Sequence, residues 1–278
     1  MKIGLTLCGG GIRGAAHIGA LKALEEENIK FDVVAGTSSG SIVASLYAMN
    51  YTADEMMEIF NKFAKTIVGI GPQSIINSIK ENLGFRIRGI CSSYKIENIL
   101  SMIANEKGIS TLKDLKMPIA IPATDLIESE EIVFTNGEQS GKNYIKDAKI
   151  STAVRASSSF PGMYIPFEYE RYQFTDGGVL DGLPIKETKK LGADKVLAIN
   201  FNILDNRKTN SVYNIIMKST DIMTEKLIKH SLEDADYALN INLKGVRPFN
   251  LSKMKYCYKE GYNQAKEHID KIKELIKS

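Results

Sequence analysis

Residues 5–26 read LTLCGGGIRGAAHIGALKALEE: an apolar run, a glycine-rich loop from Gly9 to Gly14, and a helical pattern. The glycines at positions 9, 11 and 14 match G-x-G-x-x-G, the pattern of a dinucleotide-binding turn. Such a turn requires a strand before the loop and a helix after it, and both patterns are present here. The stretch therefore predicts an anion-binding loop, with either a dinucleotide or another anion as its ligand.

A second strand–loop–helix unit follows directly. Residues 31–35 form an apolar, β-branched run, residues 36–40 read GTSSG, and a helical pattern continues to residue 48. Two successive units of this kind predict parallel strands joined by right-handed crossovers. We therefore expect an α/β domain.

The rest of the chain continues the alternation of strands and helices. Further strands are predicted at residues 117–123, 131–135, 168–175, 195–201 and 237–243, and helices at 149–157 and 212–231. A final helix carries one apolar stripe, formed by Tyr258, Tyr262, Ala265, Ile269, Ile272 and Ile276. We interpret this stripe as packing on the sheet, with docking on a lipid surface as the alternative. Residues 67–91 have no regular period and predict an insertion or lid over a site.

Composition limits the class of protein. The chain has 278 residues, of which 44% are hydrophobic, and a net charge of +3, so it predicts a globular protein that does not bind nucleic acid. Cys8, Cys91 and Cys257 form no C-x-x-C pair and favour free thiols in a reduced, cytoplasmic setting. No stretch approaches the ~18 apolar residues of a membrane span. We expect one domain over residues 1–278, with its motifs in 1–202 and a strand and helices in 203–278.

The GTSSG segment matches G-x-S-x-G, the nucleophile elbow. In this motif the serine, here Ser38, lies at the tip of a sharp turn between a strand and a helix. Gly36 and Gly40 relieve crowding on either side, and the dipole of the following helix favours developing negative charge. The context predicts that Ser38 is a nucleophile.

The elbow also bears on the ligand of the glycine loop. A dinucleotide-binding fold needs an acidic residue at the end of its second strand, where it contacts the ribose. Asp32 lies at the start of that strand, and the elbow occupies its end. Because adjacent parallel strands end at the same edge of a sheet, we expect the amides of Gly9–Gly14 near Ser38, where an oxyanion would form. Dinucleotide binding is the less favoured interpretation.

A nucleophilic serine needs a base to accept its proton. An α/β-hydrolase supplies this base as a histidine, in the chain order Ser, Asp, His. His17 follows the glycine loop, and His230 and His268 lie in amphipathic patterns typical of surface histidines, so none is favoured as the base. Asp176 begins a D-G-G sequence at the end of a predicted strand. A free aspartate, with a pKa of about 3.9, is a weak base unless burial raises its pKa.

Three motifs together, at residues 9–14, 36–40 and 176–178, resemble in order and spacing those of the patatin-like phospholipases. The segments ATDL at 123–126 and ASSSFPGMYIPF at 156–167 also resemble that family, and the likeness extends to about residue 202. It implies a three-layer α/β/α fold with a mainly parallel central sheet. It also implies a lipid ester substrate, such as a phospholipid or lysophospholipid, with neither a cofactor nor a metal.

The resemblance further implies how the site works. Ser38 attacks the ester carbonyl to form an acyl-enzyme, and Asp176 is the sole base. The oxyanion hole is formed by the loop, whose residues are Gly9, Gly10, Gly11, Ile12, Arg13 and Gly14. A salt bridge that anchors the loop is the other interpretation of Arg13. Acyl transfer to an alcohol other than water, a non-catalytic lipid-binding protein and peripheral contact with a membrane stay open as alternatives.

Overall fold

The computed structural model describes residues 1–68, 92–203, 208–210 and 212–277. The strands are β1 (Ile3–Leu7), β2 (Val33–Gly36), β3 (Ile119–Asp125), β4 (Glu130–Thr135), β5 (Tyr144–Ile145), β6 (Phe167–Tyr169), β7 (Tyr172–Asp176), β8 (Lys195–Asn202) and β9 (Tyr237–Asn242). The helices are α1 (Ala15–Glu26), α2 (Ser39–Ala48), α3 (Ala53–Val68), α4 (Tyr94–Glu106), α5 (Ile150–Ser157), α6 (Ile185–Lys190), α7 (Val212–Ser231), α8 (Met254–Glu267) and α9 (Ile269–Lys277).

The strands form one sheet with the order β5-β4-β3-β2-β1-β8-β9, joined by the β6–β7 hairpin through β3. Neighbouring strands from β3 through β2, β1 and β8 to β9 pair in parallel. Antiparallel pairing is confined to the part of the sheet beyond β3, on the side of β5, where β4 and β7 both pair with β3. The expected α/β fold with a mainly parallel centre is confirmed.

Helices cover the sheet on both faces. Along β2, Val34 joins the main core, whereas Val33 and Ala35 point to the opposite face and pack with Leu191, just after α6. In β1 the hydroxyl of Thr6 lies 2.6 Å from that of Thr188 in α6, and every residue of the strand is buried. The sequence of a strand that is buried on both faces is a nearly continuous apolar run. The pattern at the start of the chain therefore predicted β1 clearly.

The segment predicted as one strand at 168–175 is a hairpin. Strands β6 and β7 turn back on each other around residues 170 and 171, and Glu170 has a positive φ of 52°. Alternation of apolar and polar side chains continues through both strands, so the pattern hides the turn. A glycine or asparagine would have marked it, but Glu170 does not.

The predicted final helix is two helices. Helix α8 ends at Glu267 and α9 begins at Ile269, with His268 between them and its Nδ1 2.5 Å from the hydroxyl of Tyr237. His268 is half-buried by this contact, whereas it was expected at the surface. The stripe packs against the core as expected, since Ala265, Ile269 and Ile272 are buried. Lipid docking through this stripe is therefore wrong.

Two other expectations fall partly outside the described residues. Of the predicted insertion at 67–91, only residues 67 and 68 are described, and they end α3. Cys8 and Cys257 are buried free thiols, whereas Cys91 lies outside the described residues. Among the helices that are described, none has the length and apolar character needed to cross a lipid bilayer.

Helices α1 and α8 approach so closely that glycines are required where they cross. A Cβ built on Gly19 would lie 2.0 Å from the carbonyl oxygen of Tyr258, and one on Gly261 would lie 2.0 Å from that of Ala16. Both obstacles are backbone atoms, which a side-chain rotation cannot move. Helix α8 is thereby fixed against α1, the helix that follows the glycine loop.

We expect Gly261→Ala to lower the free energy of unfolding by about 2–3 kcal/mol, because the new methyl group forces α8 away from α1. The gain in helix propensity, about 1 kcal/mol, offsets only part of this cost. Chemical denaturation measures the change, and Lys259→Ala, at an exposed position of the same helix, is the control and changes stability little. A Gly261→Ala protein as stable as the parent would contradict this close packing.

Candidate active site

The elbow predicted at Ser38 is present between β2 and α2. Ser38 has φ 53° and ψ −122°, a conformation that L-amino acids rarely adopt. A Cβ on Gly36 would lie 2.4 Å from the carbonyl oxygen of Gly40, and one on Gly40 would lie 2.4 Å from that of Leu7. Gly36 is therefore required because α2 begins directly against it, and Gly40 because the turn packs on the end of β1.

The strained backbone of Ser38 is held by hydrogen bonds on both sides. Its amide donates to Oγ of Ser157 at 3.0 Å, and its carbonyl accepts from the hydroxyl of Ser41 at 2.6 Å. Ser157 is fully buried at the end of α5. Sequence reasoning did not single out Ser157; the only signal was its place in the family-like segment at 156–167.

Asp176 lies at the end of β7, as predicted, and is 4% exposed. Its amide donates to the carbonyl of Ser159 at 3.0 Å, and its Oδ1 accepts from the amide of Gly178 at 2.8 Å. A Cβ on Gly177 would lie 2.3 Å from the carbonyl oxygen of Pro122, so the chain turns tightly against β3. Within the described residues Oδ2 has no hydrogen bond of ordinary geometry.

Ser38 and Asp176 are brought together at one edge of the sheet. Burial raises the pKa of the Asp176 carboxyl to about 6, and the Ser38 hydroxyl and the Gly178 amide act against this rise. The hydroxyl is thus close enough to influence the carboxylate, although Oδ2 forms no well-aligned hydrogen bond. Loose contacts of this kind are common between a nucleophile and its base before substrate binds.

The glycine loop presents fewer amides to the site than its six residues suggested. The amides of Gly9, Ile12 and Arg13 already donate to the carbonyls of Gly182, Pro248 and Gly10, respectively. Gly14 belongs to the short 3-10 turn at the start of α1 and packs on the ring of Phe60. In the part of the chain that the structure describes, the amides of Gly10 and Gly11 donate no hydrogen bond. Of the six residues expected to form an oxyanion hole, these two therefore have amides without a partner within the described residues.

Arg13 is a buried anchor of this loop. Its Nε donates to the carbonyl of Gly10 at 2.9 Å, and a terminal guanidinium nitrogen lies 3.8 Å from Oδ1 of Asp221. Burial lowers the pKa of Arg13, and Asp221 acts in the opposite direction. These contacts favour the anchoring interpretation of Arg13 over direct contact with an oxyanion.

The described histidines do not form hydrogen bonds with Ser38 or Asp176. Burial lowers the pKa of His17 to about 4, and its Nε2 lies 2.9 Å from the carbonyl oxygen of Cys8, so the ring is neutral and donates to that carbonyl. His230 is exposed on α7, as expected, and His268 contacts Tyr237. Of the described titratable groups, Asp176 rather than a histidine lies beside Ser38.

Ser38 and Asp176 open into a cleft of about 1230 Å³, counting the solvent at its mouth. Its walls are largely apolar and include Ile42, Phe60, Phe63, Ile96, Phe160 and Phe201. Helix α7 forms one side and contributes two carboxylates, Asp221 and Glu225. A hydrocarbon chain fits such walls, and the glycine loop supplies polar groups at one end.

Comparison with known proteins places these features in a family. The model of the patatin-like phospholipases matches residues 5–189. The chain is 31% identical over 205 residues to lysophospholipase NTE1 of Meyerozyma guilliermondii, covering 74% of this chain and 13% of that protein. It is 28% identical over 201 residues to an uncharacterized NTE family protein of Mycobacterium bovis, covering 72% of this chain and 49% of that one.

The fold has a counterpart among solved structures. VipD from Legionella pneumophila superposes with a TM-score of 0.56 at 15% identity, covering 97% of this chain and 67% of VipD. This likeness concerns the fold alone. The family match, however, spans more than half of the chain and contains the glycine loop, the serine elbow and the D-G-G turn, so this chain belongs to the patatin-like phospholipase family.

Proposed function

We propose that this protein is a serine acyl hydrolase that cleaves carboxylic ester bonds of lipids, with a phospholipid or lysophospholipid as substrate. The observation that carries the proposal is the buried carboxylate of Asp176, which lines the same apolar cleft as Ser38 and has one oxygen, Oδ2, without a well-aligned hydrogen bond in the described chain.

The reaction starts when Oγ of Ser38 attacks the ester carbonyl and transfers its proton to Asp176. The tetrahedral intermediate places its negative oxygen against the amides of Gly10 and Gly11. Its collapse releases the alcohol, which takes the proton back from Asp176 and leaves an acyl group on Ser38. Asp176 then accepts a proton from water as its oxygen attacks the acyl carbonyl. Collapse of this second tetrahedral intermediate breaks the bond to Ser38, whose Oγ takes the proton back from Asp176, and the fatty acid is released.

The environment of Asp176 suits it to this role. At its pKa of about 6 the carboxyl is mostly ionised at neutral pH, yet it binds a proton more tightly than a free aspartate. The apolar cleft that raises this pKa is also the surface that would hold the acyl chain. Substrate binding and activation of the nucleophile therefore depend on the same burial.

The class of substrate is supported by two further observations. The apolar walls of the cleft fit an acyl chain. Similarity to a protein named lysophospholipase supports a lysophospholipid, and the chain spans 13% of that relative. Transfer of the acyl group to an alcohol other than water uses the same intermediate, and product analysis distinguishes it from hydrolysis.

We expect Ser38→Ala and Asp176→Asn each to lower hydrolysis of p-nitrophenyl butyrate by about 10³-fold or more, since one removes the nucleophile and the other its base. Circular dichroism checks that both variants fold. His230→Ala, an exposed position, is the control and keeps full activity. Retained turnover in either site variant removes that residue from the mechanism. Lipid binding by a parent protein that cleaves no ester of any length favours the non-catalytic alternative.

The pKa of Asp176 predicts a pH profile. Because the base must be ionised, kcat/KM should fall about ten-fold per pH unit below pH 6. With an ordinary aspartate as the base, this fall would begin about two pH units lower. Burial also raises the pKa of Asp181 to about 6, so Asp181→Asn is the matched control. In this variant kcat/KM should begin to fall at the same pH as in the parent protein. A rate that is constant from pH 5 to pH 7 would exclude Asp176 as the base.

Ser157→Ala should lower kcat for the same ester about ten-fold, because the amide of Ser38 loses its partner and the nucleophile moves. Stability should fall by about 1–3 kcal/mol for the buried amide left unpaired. Ser151→Ala is the matched control: Ser151 is buried in the same helix and loses a 2.8 Å bond from Ser101, away from the nucleophile. Equal loss of kcat in both variants would contradict a positioning role for Ser157.

A further inference from the structure

Helix α7 has two faces of different character. Its inner face lines the cleft through Thr220, Asp221, Thr224, Glu225 and Ile228. Its outer face exposes large apolar side chains: Ile215 (50%), Ile216 (59%), Ile222 (42%), Met223 (60%) and Leu227 (41%). A helix of a globular protein normally buries such residues, and a cluster of them at the surface marks a site of interaction.

The charges on α7 are divided in the same way. Asp221 and Glu225 are the acidic residues of this helix, and both are half-buried and face the cleft. The exposed positions carry Lys226, Lys229 and His230 but no carboxylate, and the next exposed carboxylate along the chain is Glu233, beyond the end of the helix. The outer face is therefore apolar and basic, which complements a surface that is both apolar and anionic.

This outer face is continuous with the mouth of the cleft. Met223 lies one helical turn after Thr220, and Leu227 lies one turn after Thr224, so the exposed apolar side chains border the residues that line the cleft. Beside them, the hydroxyl of Thr224 lies 3.5 Å from the carbonyl oxygen of Gly178. The next two residues in the chain, Val179 and Leu180, are 39% and 41% exposed.

We infer that the outer face of α7, together with Val179 and Leu180, docks the protein on an anionic lipid bilayer. The apolar side chains enter the boundary between headgroups and acyl chains, and Lys226 and Lys229 contact anionic headgroups. The mouth of the cleft then meets the lipid directly, so an acyl chain passes from bilayer to cleft without crossing water. This inference rests on the proposed lipid hydrolase and assigns its working surface to α7.

The test compares binding to vesicles of phosphatidylcholine with and without phosphatidylglycerol, measured by co-sedimentation of the full chain carrying Ser38→Ala, so that no lipid is consumed. Ile216→Glu combined with Met223→Glu should weaken binding to the anionic vesicles about ten-fold or more. Met102→Glu is the matched control, since Met102 is 66% exposed on α4, and its binding should be unchanged. Added salt should weaken binding of the parent protein, because it screens the lysines.

Activity separates this inference from the proposed function. With Ser38 present, Ile216→Glu/Met223→Glu should keep its rate on dissolved p-nitrophenyl butyrate and lose about ten-fold on anionic vesicles. Equal binding of parent and double variant, or equal binding of the parent to neutral vesicles, would overturn the docking surface. So would a dimer of the parent, seen by light scattering, that the double variant dissociates, because the face would then belong to a second copy. Vesicle binding that depends on α7 without hydrolysis of any ester would leave docking in place and refute the hydrolase.

Discussion

The packing of the serine elbow on the end of β1 is the constraint on which the site depends. Gly40 approaches the carbonyl of Leu7 so closely that no side chain fits between α2 and the strand. Strand β1 ends at Leu7 and the glycine loop begins at Gly9, so the same contact fixes the distance between Ser38 and the loop amides. A shift of α2 would move Ser38 and leave Gly10 and Gly11 behind. Close packing therefore sets the geometry for which catalysis needs sub-ångström precision.

The elbow is a strained conformation that the surrounding structure maintains. A positive φ at Ser38 costs about 1–3 kcal/mol, and hydrogen bonds to Ser157 and Ser41 offset it. The same short segment also holds Asp176, because the carbonyl of Ser159 accepts from its amide. Ser38 and Asp176 are thus both hydrogen-bonded to the end of α5. One buried segment keeps these two residues, which are far apart in sequence, in fixed positions relative to each other.

Local sequence patterns predicted the parts of the fold that local physics determines. The apolar runs of β1 and β2, the glycines beside Ser38 and the D-G-G turn each follow from short-range sterics or burial. The β6–β7 turn was missed because Glu170 adopts a positive φ without being glycine, and the helix break at His268 was missed because the stripe continues through it. The partners of the loop amides were not predictable, since Gly182 and Pro248 are distant in sequence. Periodicity likewise gives the apolar face of a helix but not what covers that face. It therefore did not show that the apolar side chains of α7 are exposed whereas those of the final stripe are largely buried.

The crossing of α1 and α8 has a consequence for how the chain acquires its structure. The helix behind the glycine loop is held by Gly261, and the loop amide of Ile12 by Pro248, both near the C-terminal end of the described chain. Contacts between residues so far apart in sequence form late and slow folding. The reason is that the chain loses the entropy of closing a long loop before the contacts stabilise the fold. During synthesis the N-terminal motifs leave the ribosome long before these partners exist. The glycine loop is therefore translated before the segments that hold it, and it reaches its final shape only after they have been made.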